Sequence, residues 1–224
     1  METNLTAGSV GRQLIGFSLP YLLSYFLQTL YCMADLFIIG SFDGTAATTS
    51  VSVGSQVMHM LTVIIVGLAM GSIVSIGNAV GAGDRKKAAI YIGNTVTLFM
   101  ALSLVLTAVL VIVVKPIVNA VSTPAEAVDG AVKYLTICFL GIPFITAYNI
   151  ISSIFRGLGD SKSPMYFIAV ACASNIVLDY LFIGAFDMGH AGAALGTTLS
   201  QGLSVAVSLF VILKRRLGIA LKRT

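Results

Sequence analysis

Two aspartates, Asp35 and Asp179, sit inside long apolar stretches that hold no other acidic side chain. A carboxylate at bilayer depth is costly enough to mark an ion path or coupling site by default. Asn175 lies one helical turn before Asp179 and shares its face. Thr197 brings a hydroxyl from the last apolar stretch. Such a set can do one of two things. Close carboxylates cannot both ionise cheaply in a low-dielectric site, so they hold a proton between them. Two carboxylates, an amide oxygen and a hydroxyl also make a hard oxygen cage for a small cation. The third reading is a hydrogen-bonded polar knot that only fixes helix packing, for which two acids are an expensive device.

Gln28, Asn149 and Gln201 are further intramembrane amides that could line a substrate cavity, although each taken alone also serves as glue between helices. Pro20, fifteen residues before Asp35, removes the hydrogen bond to the Gly16 carbonyl and could hinge the first helix or merely kink it. His59 stands without a second ligand one turn away, so no metal site is expected beyond Na+. Cys32, Cys138 and Cys172 form no CxxC pair and read as small buried apolar residues.

Helices must carry these groups across a bilayer. Hydrophobic residues make up 57% of the chain and charged residues 10%, against about 25% charged in ordinary soluble domains; mean hydropathy is +0.98. Six stretches are long enough to cross as helices of roughly 20 residues: about Gln13–Ile39, Ala47–Val80, Ala88–Val114, Ala131–Phe155, Met165–Ala185 and Ala191–Leu213. The second exceeds one straight crossing, so its first turns are expected at the interface. The expected fold is therefore an all-α, six-transmembrane-helix bundle over residues 1–213, followed by a basic tail over 214–224. At roughly 1.5 Å per residue, the oxygen-bearing groups of helices one, five and six fall about 6–10 Å below the outer boundary. Acids that avoid lipid at that depth should turn towards each other.

The net charge of +4 is not spread evenly. Arg12, Arg85, Lys86, Lys87, Arg156, Lys162, Lys214, Arg215, Arg216, Lys222 and Arg223 all fall on one side of a six-span arrangement; Lys115 is the clear cation of the other. The positive-inside rule then puts both termini in the cytoplasm of a multi-pass plasma (inner) membrane protein. The charge sets topology, and no nucleic-acid partner is expected. The first apolar run is longer than a signal-peptide core and is read as a retained helix.

Gly81-Ala-Gly-Asp84-Arg-Lys86 after the second span is echoed by Gly157-Leu-Gly-Asp160-Ser-Lys162 after the fourth. Both read as glycine helix ends with turn residues and topology-setting cations. The second is faintly like a phosphate loop, but it lacks the glycine before the lysine and follows a helix where a strand is required. Any uphill movement must draw on an ion gradient instead of ATP, and no enzyme activity is expected. In the long connection Lys115–Gly130, Pro124 suggests a short helix at the outer interface. The spacings Gly67/Gly71, Gly77/Gly81 and Gly192/Gly196 mark faces for close helix packing.

Nearly the whole chain resembles the multidrug and toxin extrusion (MATE) transporters, most closely the DinF-like branch. The resemblance is carried by "SLPYLLSYFLQTLYCMADLFIIG" with Pro20 and Asp35, and "GNAVGAGDRKKA". It continues through "FRGLGDSKSP", "SNIVLDYLFIG" and "GHAGAALGTTLSQ". The resemblance implies an ion-coupled antiporter that exports cationic or amphipathic organic compounds in exchange for Na+ or H+, with no other cofactor. It implies a cation site at Asp35, Asn175, Asp179 and Thr197, a bending proline at Pro20 and cavity positions at Gln28 and Asn149. Members of that family have twelve helices in two lobes, so this half-length chain corresponds to the amino-terminal lobe and is expected to meet a second six-helix lobe as well as membrane lipids. Two alternatives stay open: a flippase for lipid-linked precursors, which should need a deep cation such as Lys133, and a non-transporting half that acts as an assembly partner.

Overall fold

A computed structural model of the protein describes residues 9–215, apart from the side chain of Arg215. The described residues are helical almost throughout, without a strand. In chain order the helices are α1 (Val10–Phe42), α2 (Thr45–Gly81), α3 (Arg85–Ile112) and the short α4 (Val114–Ala120). A single 3-10 turn (Ala125–Ala127) leads into α5 (Val128–Leu140) and α6 (Ile142–Gly157). Then come α7 (Lys162–Asp179), a π turn (Tyr180–Ala185) and α8 (Gly189–Arg215).

Five helices are long and apolar enough to cross a membrane singly, and α5 with α6 makes a sixth span bent by 52°. The bundle is inverted relative to a water-soluble one. In α3 only 17% of the most apolar window is buried, and Leu19, Phe26, Leu98 and Phe210 face outward. Small and polar residues such as Ser103, Ser204 and Ser208 turn inward. This is the sorting expected where lipid solvates the outer face as well as leucine does.

The fourth span is an elbow instead of the straight helix expected over Ala131–Phe155. Pro143 has no N–H for the helical ladder, which favours a break at that point. A methyl group on Gly141 would collide with Thr198, so the glycine also lets α8 lie against the bend. The long connection differs from expectation as well. It contains α4, and Pro124 opens only one 3-10 turn before α5 begins at Val128.

The two glycine-aspartate echoes have one geometry. Gly83 (φ +74°) and Gly159 (φ +83°) are left-handed. Asp84 N–H donates to Ala79 C=O at 2.9 Å and Gly83 N–H to Val80 C=O at 3.0 Å; Asp160 to Phe155 at 2.9 Å and Gly159 to Arg156 at 3.0 Å repeat the pattern. Each is a Schellman helix end. The carboxylate of Asp84 then accepts from Lys87 N–H at 2.9 Å, and that of Asp160 from Ser163 N–H at 3.0 Å, which starts the next helix. These loops are structural turns.

The helices close into a bundle as α1 packs on α7, α7 on α8, α8 on α5 and α6, and α2 on α5 and α6 with α3 beside it. One apolar cluster, centred on Ile38, Tyr134, Phe139 and Ala193, ties the ends of α1, α5 and α8 at the level of the acids. A second joins α2, α3 and α6 through Ile76, Phe99 and Ile154. A third joins α6 and α7 through Phe155 and Phe167, whose rings meet edge-on at 5.5 Å. The three small-residue pairs are not equivalent. Gly67 and Gly71 have open space where a side chain would sit, whereas Gly192 and Gly196 are tightly covered. A Cβ on Gly77 would lie 3.6 Å from the Gly157 carbonyl of α6, so the second pair packs through one member. By contrast, α7 and its π turn lie directly on both members of the last pair.

Candidate ion site and adjoining cavity

Asp35 on α1 is buried to 2% exposure, and Asn175 and Asp179 on α7 to 0%. Thr197 on α8 is half-buried, and its hydroxyl donates to Asp35 Oδ2 at a long 3.4 Å. Asp179, Thr197 and Asn175 are the immediate side-chain neighbours of the Asp35 carboxyl. The four groups named from the sequence therefore come together, because α1 and α8 flank α7 on adjacent faces.

What allows the approach is Gly196. A Cβ there would overlap Asp179 Oδ1, so the carboxyl lies directly on the α8 backbone. Gly192, one turn earlier, would place its Cβ 3.1 Å from the Phe182 backbone, so α8 is seated on the π turn as well. That turn begins immediately after Asp179, and such local unwinding concentrates at functional positions. Sequence reading assigned Gly196 to packing alone; its contact with Asp179 makes it part of the site's framework.

Asp35 Oδ1, both amide atoms of Asn175 and both carboxyl oxygens of Asp179 are enclosed without a hydrogen-bond partner. One such atom costs about 1–3 kcal/mol, and more if charged. A shared proton, a small cation or an ordered water would each satisfy atoms placed in this way. Among the described residues no three His, Cys, Asp or Glu are grouped to hold a metal ion. The donors here are two carboxylates with neutral amide and hydroxyl oxygens, a hard oxygen set.

Asp35 and Thr197 also form part of the wall of a cavity of about 220 Å³; Asn175 and Asp179 lie behind that wall. Gln28, Asn149 and Gln201 line the same cavity. Asn149 is anchored by its amide donating to Ile145 C=O at 2.8 Å, while Gln201 Oε1 has no partner. Tyr25, Tyr31, Tyr134 and Tyr148 contribute aromatic faces that sequence reading did not single out. Only Tyr25 of these carried a signal in the sequence: Tyr21, Tyr25, Gln28, Cys32 and Asp35 recur at helical spacing and form a polar stripe down an otherwise apolar α1. Cys32 is half-buried in this wall, in contrast to the buried Cys138 and Cys172. His59 reaches the rim.

Pro20 sits inside a helix that continues through it, and Ser24 Oγ donates to its carbonyl at 2.8 Å. Lys133 is exposed on the second turn of α5, close enough to His190 to act on it electrostatically, and lies outside the cavity. The basic tail beyond Arg215 lies outside the described residues.

The MatE family model matches residues 20–181. This chain belongs to the MATE family. It is 37% identical over 214 residues to the probable multidrug resistance protein YpnP of Bacillus subtilis, a match that takes in 96% of this chain and 48% of that protein. A relative named as an FAD transporter in Shewanella oneidensis is 25% identical over 95% of this chain and 48% of its own length. Among solved structures, a MOP superfamily transporter from Pyrococcus furiosus superposes with a TM-score of 0.87 at 25% identity, covering 98% of this chain and 48% of that one. The chain thus spans about half the length of the relatives it matches and corresponds to the MATE amino-terminal lobe. MATE proteins are membrane transporters and not enzymes.

Proposed function

We propose that this chain forms the amino-terminal lobe of an ion-coupled antiporter that exports cationic or amphipathic organic compounds. Na+ or H+ occupies the site made by Asp35, Asn175, Asp179 and Thr197. The exported compound occupies the cavity lined by Gln28, Asn149 and Gln201. One observation carries this reading: five enclosed carboxyl and amide atoms without partners stand directly behind the cavity wall. The tyrosines support a cationic, aromatic cargo, because a cation over a tyrosine face gains about 0.5–2 kcal/mol.

The mechanism follows from the shared wall. Asp35 and Thr197 belong both to the ion set and to the cavity, so an ion drawn to Asp179 and Asn175 competes with a cationic compound for the Asp35 charge. Ion entry from outside then lowers the affinity for cargo and favours its release there, with Pro20 as the hinge of α1. A net charge crossing draws about 2.3 kcal/mol per 100 mV from the membrane potential. Alternating access needs two bundles that rock about a site between them, so a second six-helix lobe completes the transporter. Both termini of this lobe face the cytoplasm across the plasma membrane.

The test is efflux of ethidium or norfloxacin from cells carrying this chain with a second lobe, under separate sodium and proton gradients. Asp179→Asn should abolish the gradient dependence. Efflux that keeps its ion dependence in the variant would remove Asp179 from coupling.

A further inference from the structure

The cavity does not end at the ion site. A second recess of about 80 Å³ shares Tyr25, Gln28, Tyr148 and Asn149 with it and reaches Tyr21 and Arg156 on the other side. The two form one polar tract that runs along the α1 stripe. From Asp35 to Tyr21 is fourteen residues, or roughly 21 Å of helix. One end therefore presents a carboxylate and the other a guanidinium.

Arg156 closes the last turn of α6 and is half-buried, with its guanidinium 4.7 Å from the centre of the Tyr21 ring. It forms no ion pair with a described residue; its guanidinium lies over the Tyr21 ring and close enough to Tyr148 to act on it electrostatically. A cation at a helix C-terminus is favoured by the helix dipole, which explains the residue type but not a side chain turned into a cavity. The guanidinium lies over the Tyr21 ring, and its fork of N–H donors matches a planar acceptor such as a carboxylate. Coulomb repulsion falls with distance, so the roughly 21 Å of helix between the two ends weakens the repulsion of an anion here by the acids.

We propose that Arg156, stacked on Tyr21, is an anion-accepting subsite at the inner end of the cavity. It takes the carboxylate of an aromatic zwitterion whose ring system lies along Tyr25 and Tyr148. The proposal rests on the cavity being the cargo site and names the group that would hold the acid end of a cargo that carries one. Two parallel N–H···O bonds to a carboxylate give both strength and orientation.

The test is equilibrium binding to the full chain in lipid nanodiscs. The probes are norfloxacin, its methyl ester and ethidium, and the proteins are wild type, Arg156→Gln and Arg156→Lys. Wild type should bind the acid at least about tenfold more tightly than the ester, as expected for a hydrogen-bonded charge pair. Arg156→Gln should erase that ratio without weakening ethidium, since it removes a like charge from the tract; Arg156→Lys should restore part of the ratio. Equal binding of acid and ester by wild type refutes the subsite even if the glutamine variant does not fold. So does an equal loss of acid and ester binding in that variant. Failure of wild type to bind ethidium as well would refute the cavity reading itself, and the subsite with it.

Discussion

Gly196→Ala is the sharpest test of the way the ion set is assembled. The added methyl group would overlap Asp179 Oδ1, and it also meets the Asp179 backbone nitrogen at 3.6 Å. Ordinary contact can be regained only if the carboxyl swings away or α8 lifts off α7. Either movement separates Asp179 from Asp35 and Thr197. Overpacking of this kind costs about 1–3 kcal/mol, which corresponds to roughly 5–150-fold in an equilibrium constant. If that cost falls on the occupied form, ion affinity should drop by one to two orders of magnitude. Radiolabelled sodium binding to protein in nanodiscs would read this directly, with competition by protons as the parallel measurement. Gly71→Ala is the control, because nothing lies within 4 Å of the new methyl group. It should leave ion binding unchanged and thermal stability equal or slightly higher, since alanine is the better helix former. If Gly196→Ala folds, keeps its melting temperature and binds ion within twofold of wild type, Gly196 does not set the position of Asp179.

Other substitutions probe separate parts of the molecule. Asp35→Asn should weaken ethidium and ion binding together, whereas Asp179→Asn should weaken ion binding by about tenfold or more and leave ethidium nearly unchanged, because only Asp35 reaches the cavity; titration of both ligands against each variant checks this. Gly54→Ala drives a methyl group into the Tyr134 ring and should lower stability by about 1–3 kcal/mol, read as a fall in the melting temperature of the detergent-solubilised protein. Gly159→Ala forces a left-handed conformation on an L-residue and should cost about 1–2 kcal/mol without altering affinity for ion or cargo. Single cysteines introduced at Lys86 and Lys162 should label only from the cytoplasmic side, and Glu126→Cys only from outside; any exchange between these groups overturns the orientation.

A good deal of this architecture was legible in the chain. Apolar runs of bilayer length define spans because every backbone N–H and C=O must be satisfied internally in lipid. Gly83 and Gly159, each followed by aspartate, end one helix and start the next through local hydrogen bonds that need no distant partner. Asp35, Asn175, Asp179 and Thr197 were legible as a set because charge at depth must turn inward, and depth follows from counting residues. Three things were decided only in the folded bundle. The elbow at Gly141 and Pro143 depends on Thr198 of α8 occupying the space the glycine leaves. The small-residue pairs look alike along the chain, yet only Gly192 and Gly196 meet a neighbour that needs their missing side chains. Arg156 reads as a topology cation, and its approach to Tyr21 arises from two long side chains meeting across the recess that separates α6 from α1. Local sequence determines what each helix can tolerate in lipid or water; which faces meet, and hence which buried groups share a site, is a property of the packing.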